Sequence, residues 1–260
     1  MTRRAERVAF PVNWWSRGAW LLFGAYVVYA ASHLEFTPAR FLAGLEFGAN
    51  FIARLFPPNF ERWELLLKGM LESLQIAVIA SVLGVIVSLP LSLMAARNLM
   101  PVWLTWPART LMVLARSFHP VIVAIVFVKA VGFGALAGIL ALTVASVGFV
   151  GKLFTEAIEE ISLKQVEAVR ATGAPFMSLV LFSVMPQVFA RFVGFISYET
   201  DANLRNSTMV GIVGAGGIGG TLFAAFQRFD YDFVCAIVLT IIALIMVGEY
   251  LTIRVKRVFA

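Results

Sequence analysis

The sequence predicts an all-α polytopic membrane protein, about six transmembrane helices joined by short loops. Three observations carry that prediction. Of 260 residues, 60% are hydrophobic and 14% charged, against about 25% charged in an ordinary soluble domain, and the mean hydropathy is +0.88. Uncharged apolar runs recur, the clearest over 73–96, each near the ~20 residues that a bilayer crossing requires. A polar island over 156–186 separates two of these runs and carries Glu156, Glu159, Glu160, Lys164, Glu167 and Arg170, then Gly173 and Pro175. It reads as a water-side loop.

In chain order, residues 1–17 hold Arg3, Arg4, Arg7 and Arg17 against Glu6 alone. The apolar run 19–32 follows, with Trp20, Tyr26 and Tyr29. Ala30 and Ala31 imitate the end of a signal peptide; we read an uncleaved first span whose basic N-terminus stays in the cytoplasm. Residues 33–72 mix charges with Pro57-Pro58, and apolar residues at roughly helical spacing over 60–71 predict an external loop ending in an interfacial amphipathic helix.

The second span is 73–96, with Pro90 inside and Arg97 closing it. The third, 110–128, contains Arg116 and His119-Pro120. Proline removes a helix hydrogen bond, so this span is expected to be bent or broken. Arg116 either faces protein or water or snorkels near a helix end. The fourth span, 130–151, has glycines at 132, 134, 138, 148 and 151, which let helices approach closely in lipid. The fifth, 178–198, is interrupted by Pro186 and Arg191, and the last, 233–253, ends at Arg254, Lys256 and Arg257. Six spans put both termini on one side with twelve Lys and Arg, against seven on the other; the bias makes the richer side cytoplasmic. The net charge of +6 therefore records orientation rather than nucleic-acid binding.

Metal and redox chemistry have little to stand on. Cys235 is the one cysteine, and His33 and His119 lie far apart. The literal pattern G-x-G-x-x-G occurs at Gly214, Gly216 and Gly219, but a dinucleotide turn needs a preceding strand, a following helix and a ribose-binding acid, and this chain offers no such context. Glycines at that density instead allow unwound backbone, tolerated at membrane depth only inside protein or beside water. Residues 203–220 are therefore a candidate gate.

Within the polar island, Glu167-Ala168-Val169 is followed by Gly173 and then Pro186. That spacing resembles the E-A-A loop of ABC importer permeases, with Val169, Ser183 and Met185 departing from the family pattern. The phrase N-L-R-N-S-T-M-V-G-I-V-G-A-G-G-I-G beginning at Asn203 resembles the matching segment of phosphonate importer permeases, and its glycine half is similar to methionine importer permeases. The resemblance covers roughly 70–255. Where the family has a proline-glutamate pair after its arginine, this chain has His119-Pro120.

The resemblance implies a small type I ABC importer permease fold, with an N-terminal part over 1–70 and a permease core over 71–260 containing a coupling loop at 152–178. It implies a bacterial inner-membrane location with both termini cytoplasmic, and a homodimer working with an ABC ATPase dimer and an external solute-binding protein, and no nucleic acid. Glu167, Ala168, Arg170, Gly173 and Pro186 would couple to the ATPase. Asn203, Arg205, Ser207, Thr208, Gly214, Gly216, Gly217 and Gly219, with Arg116 and His119, would line or gate the path. No cofactor is expected in this chain; ATP and Mg would sit on the partner ATPase, since no G-x-x-x-x-G-K-[ST] sequence occurs here. The implied cargo is phosphonate or phosphite, with methionine or another amino acid as the alternative.

Small oxyanions need donors, and Arg205, Asn203, Ser207 and Thr208 supply them; the equal alternative is that Arg205 pairs with Asp201, four residues earlier on a helix. Two other classes stand beside the permease: a membrane-embedded enzyme using His119, Arg116 and Glu249, which lacks any nucleophile–base or metal-ligand spacing, and an ion-driven transporter, for which Glu249 is the acidic candidate.

Overall fold

The computed structural model describes residues 14–34 and 37–259. The basic residues Arg3, Arg4 and Arg7 lie outside them. The helices are α1 (Trp14–His33), α2 (Pro38–Leu55), α3 (Trp63–Ala95), α4 (Val102–Ser117), α5 (Pro120–Val131), α6 (Ala135–Glu159), α7 (Leu163–Ala171), α8 (Phe176–Leu179), α9 (Met185–Ile212), α10 (Ile218–Gln227) and α11 (Tyr231–Phe259). A π-helical segment, Val180–Val184, joins α8 to α9. The described residues contain no strand, as the all-α reading expects.

Among the described residues, four helices are long and apolar enough to cross a membrane: α3, α6, the run Phe176–Ile212 and α11. The pair α4 and α5, bent by 91°, is a fifth crossing if counted as one span. α1 has the 20 residues of a crossing but is not among the helices apolar enough for one; counted by length alone it brings the number to about six.

The chain parts into two compact units at Arg54/Leu55. The first holds α1 and most of α2, and neither helix has a buried side chain. The sequence reading placed 38–55 in an external loop. It is a helix instead, started by Pro38, whose fixed φ suits the first turn, and by the Thr37 hydroxyl, which accepts from Arg40 N at 3.4 Å.

The second unit contains the core. Phe154 of α6 stacks on Phe192 of α9 with ring centroids 3.8 Å apart, and Val150, Ile158, Val184 and Val188 close around them. Ile76 and Ala80 of α3 pack with Ala124, Ala137, Ala141 and Leu142. Leu66, Ile218, Phe233 and Ile237 join α3, α10 and α11.

Several expected boundaries move. The interfacial helix over 60–71 and the span from Ser73 are one continuous rod, α3, of 33 residues. At 1.5 Å per residue it is about 50 Å long, which exceeds the ~30 Å hydrocarbon layer and leaves Glu64, Lys68 and Glu72 at its end. The chain before Arg109 is helical from Val102 rather than loop. The third span is broken as expected, at Phe118: His119 caps α5, its Nδ1 accepting from Val121 N at 3.3 Å, with Pro120 in the first turn. The fourth span starts at Ala135, because Gly132 and Gly134 take φ of +91° and +127°, and it runs on to Glu159.

Two further corrections concern the polar residues. Glu156 and Glu159 are the last turn of α6 rather than loop. Arg191, read as lying within a span, pairs with Glu160 at 2.5 Å, and both side chains are more than half exposed. Residues 176–190 therefore lie near the water-side end of a long helix. At the same end, the Arg109 guanidinium binds Glu159 Oε1 at 2.6 Å and Ala95 O at 2.9 Å, and Arg97 N reaches the same Glu159 oxygen at 2.8 Å. One carboxylate thus ties the middle of α4 to the ends of α3 and α6.

Candidate functional site

The coupling candidates gather on α7. Val166 is buried and Val169 packs on the same cluster as Phe154 and Phe192, so one edge of this nine-residue helix is anchored to the bundle. Glu167, Ala168 and Arg170 are exposed. Gly173 ends the helix: its N–H donates to Arg170 O at 3.0 Å and its φ is +76°, the left-handed C-terminal turn that glycine adopts without Cβ strain. Pro186, the fifth of these residues, lies apart in the first turn of α9, behind the π segment. Gln187 beside it connects the two regions. Its Oε1 accepts from Ser162 N at 2.9 Å, at the start of α7, while its Nε2 donates to Ser183 O at 2.8 Å.

The gate candidates divide in two. Residues 203–212 remain helical, and irregular backbone is confined to the turn between α9 and α10, 213–217. Only glycine lies in the left-handed region there, at Gly214, Gly216 and Gly217. The turn is closely packed. Gly134 N donates to Gly214 O at 3.0 Å, Ile218 N donates to Ser73 Oγ at 2.9 Å, and a Cβ on Gly219 would stand 1.9 Å from Thr208 O. Helix geometry separates the polar members on α9: Asn203 and Ser207, four apart, are buried, whereas Arg205 is exposed and pairs with Asp201 at 2.8 Å. Ser207 donates to Leu204 O at 2.7 Å.

Asn203 belongs to a buried polar line across three helices. Its Nδ2 donates to Ser81 Oγ of α3 at 3.0 Å and to Ser146 Oγ of α6 at 2.8 Å. Ser146 donates in turn to Glu199 Oε1 at 2.6 Å, and Ser81 to Ala77 O at 2.8 Å. Each of these donors is used in one direction, towards Glu199 or a backbone carbonyl, while Asn203 Oδ1 has no partner. Glu199 is 5% exposed. The sequence reading named Glu249 as the acidic residue to consider inside the spans; Glu249 is exposed, and among the described residues the buried acid is Glu199. A buried ionisable group among spans marks functional or tightly matched structure.

Arg116 and His119 part at the bend between α4 and α5. His119 serves as a helix cap, and Arg116 lines a cavity between α4 and α6 with Arg109, Lys152 and Glu156.

An all-helical bundle with a broken span, a short helix held on one end and a packed glycine turn defines a polytopic helical membrane protein. Residues 88–260 match the family described as binding-protein-dependent transport system inner membrane component, and the chain belongs to that family. It is 38% identical over 239 residues to the phosphite transport system permease protein PtxC of Stutzerimonas stutzeri, covering 91% of this chain and 87% of that protein. It is 36% identical over 221 residues to the phosphate-import permease protein PhnE of Mycolicibacterium smegmatis, covering 84% of this chain but 42% of that protein. Among solved structures, a chain from the inward-facing MetNI methionine ABC transporter superposes with a TM-score of 0.69 at 22% identity, over 78% of this chain and 99% of that one, and it supports the fold. The chain is thus the permease component of a binding-protein-dependent ABC importer, an inner-membrane transport protein.

Proposed function

We propose that this permease imports a small phosphorus oxyanion, phosphonate or phosphite, using ATP hydrolysed by a separate subunit. The observation that carries the reading is the identity with the phosphite permease along nine-tenths of the chain, at a level well above that shared with the methionine transporter chain. Two copies of the chain assemble with two ATPases, which hold ATP and Mg, and with an external solute-binding protein. Both termini lie in the cytoplasm, by the distribution of Lys and Arg.

Function follows from the layout. Residues Glu167, Ala168 and Arg170 of α7 dock into a groove of the ATPase, and Val166 and Val169 carry its motion into the bundle, a short helix working as a rigid lever. Closing the ATPases opens the path outward, and the turn at Gly214, Gly216, Gly217 and Gly219 with α9 residues Asn203, Arg205, Ser207 and Thr208 forms the gate. ATP-dependent uptake into proteoliposomes, with the cognate ATPase and binding protein present, tests this by comparing phosphonate, phosphite, phosphate and methionine. Uptake of methionine alone would discard the cargo, and uptake without ATP would discard the mechanism.

A further inference from the structure

Arg116 is a cation at an unusual depth. A Cβ on Gly148, near the middle of α6, would lie 2.7 Å from the Arg116 backbone nitrogen, so α4 delivers Arg116 to the middle level of that span. A guanidinium there must face protein or water rather than acyl chains. It faces a cavity of about 430 Å³ that also holds Arg109, Lys152, Glu156 and Glu159. Both acids are already matched: Glu159 with Arg109 at 2.6 Å and Glu156 with Lys152 at 3.4 Å. The exposed Arg116 side chain has no hydrogen bond or ion pair among the described residues. The cavity therefore keeps one uncompensated positive charge, made tolerable by the carbonyl end of α4.

We propose that this cavity is a transient binding site for the transported oxyanion. Arg116 takes two ligand oxygens side by side, the geometry a guanidinium fork offers and an ammonium does not. Lys152 supplies the second charge by exchanging Glu156 for the ligand; that pair is about half exposed on both sides, and such pairs hold weakly. Arg109 stays with the better shielded Glu159. The inference rests on the oxyanion reading of the cargo and adds a site within the permease itself.

The test is saturation binding of radiolabelled phosphite to the full-length chain in lipid nanodiscs, without the ATPase, whose nucleotide site also binds phosphate groups. Arg116→Gln should weaken binding about tenfold or more, and Arg116→Lys should fall between it and the unaltered chain. Glu156→Gln should tighten binding about threefold by releasing Lys152, a gain that misfolding cannot produce. Absent saturable binding, or equal binding by the unaltered chain and Arg116→Gln, overturns the site. Uptake by the reconstituted importer judges the cargo separately: methionine import with no oxyanion import overturns the cargo reading, whereas oxyanion import with unchanged nanodisc binding in Arg116→Gln overturns only the site.

Discussion

The Ser146 hydroxyl donates to Glu199 Oε1 at 2.6 Å while accepting from Asn203 Nδ2 at 2.8 Å. One hydroxyl of α6 thereby satisfies two buried polar groups of α9. Ser146→Ala leaves Glu199 without that donor and Asn203 without that acceptor, and should cost about 1–3 kcal/mol, seen as a lower melting midpoint in detergent. Glu199→Gln keeps an oxygen for Ser146 and should cost less. A Ser146→Ala protein as stable as the original would show that the line contributes nothing.

Gly219→Ala should be among the most damaging small changes in the chain. The added carbon would stand 1.9 Å from Thr208 O, and backbone on both sides leaves no flexible atom to yield, so a loss of about 3 kcal/mol is expected. Gly194→Ala is the control. It sits in α9 with nothing within 4 Å, and alanine is the better helix former by about 0.5–1 kcal/mol.

Gly173 separates strain from crowding. Nothing lies within 4 Å of its absent Cβ, yet its φ is +76°. Gly173→Val should distort the turn after α7 and lower the ratio of solute imported to ATP hydrolysed, with the protein still in the membrane. Gly173→Asn, which tolerates the left-handed region, should retain coupling. Equal coupling in both would remove α7 from its assigned role.

Glu159→Ala frees the middle of α4 from the ends of α3 and α6. Because the Arg109–Glu159 pair is over a quarter exposed, solvent screening limits the loss to about 1–2 kcal/mol. Thermal unfolding of Glu159→Ala, Arg109→Ala and the double variant should show that the two losses do not add.

Arg205→Ala breaks an exposed i,i+4 pair, so stability should stay within about 0.5 kcal/mol. Uptake should fall while ATPase binding, measured by co-purification, stays intact. Normal uptake would leave Arg205 a structural partner of Asp201.

Much of the architecture was legible because it follows from composition and spacing. Uncharged runs announced the spans, Pro120 announced the break, and the spacing of Glu167, Gly173 and Pro186 announced α7. Span ends were less legible, since a helix that outgrows the bilayer carries charges, so Lys68 read as part of a separate interfacial helix and Glu159 as loop. The buried line was missed for another reason. Glu199 stands in a polar stretch that resembles a span boundary, and its partner Ser146 is 53 residues away. One signal was present: Ser73, Ser81, Ser88 and Ser92 recur at helical intervals along α3, and all are buried. Hydroxyls repeating on one face of an otherwise apolar span announce a polar seam.

The single buried side chain of α7 has an evolutionary corollary. Because Val166 does the anchoring and the neighbouring charged positions answer to nothing inside the bundle, the outer face can drift without disturbing the fold. On the proposed docking of α7, exchanging those few positions should let one permease body be paired with a different motor, and the specificity of assembly would then be inherited separately from the specificity of transport.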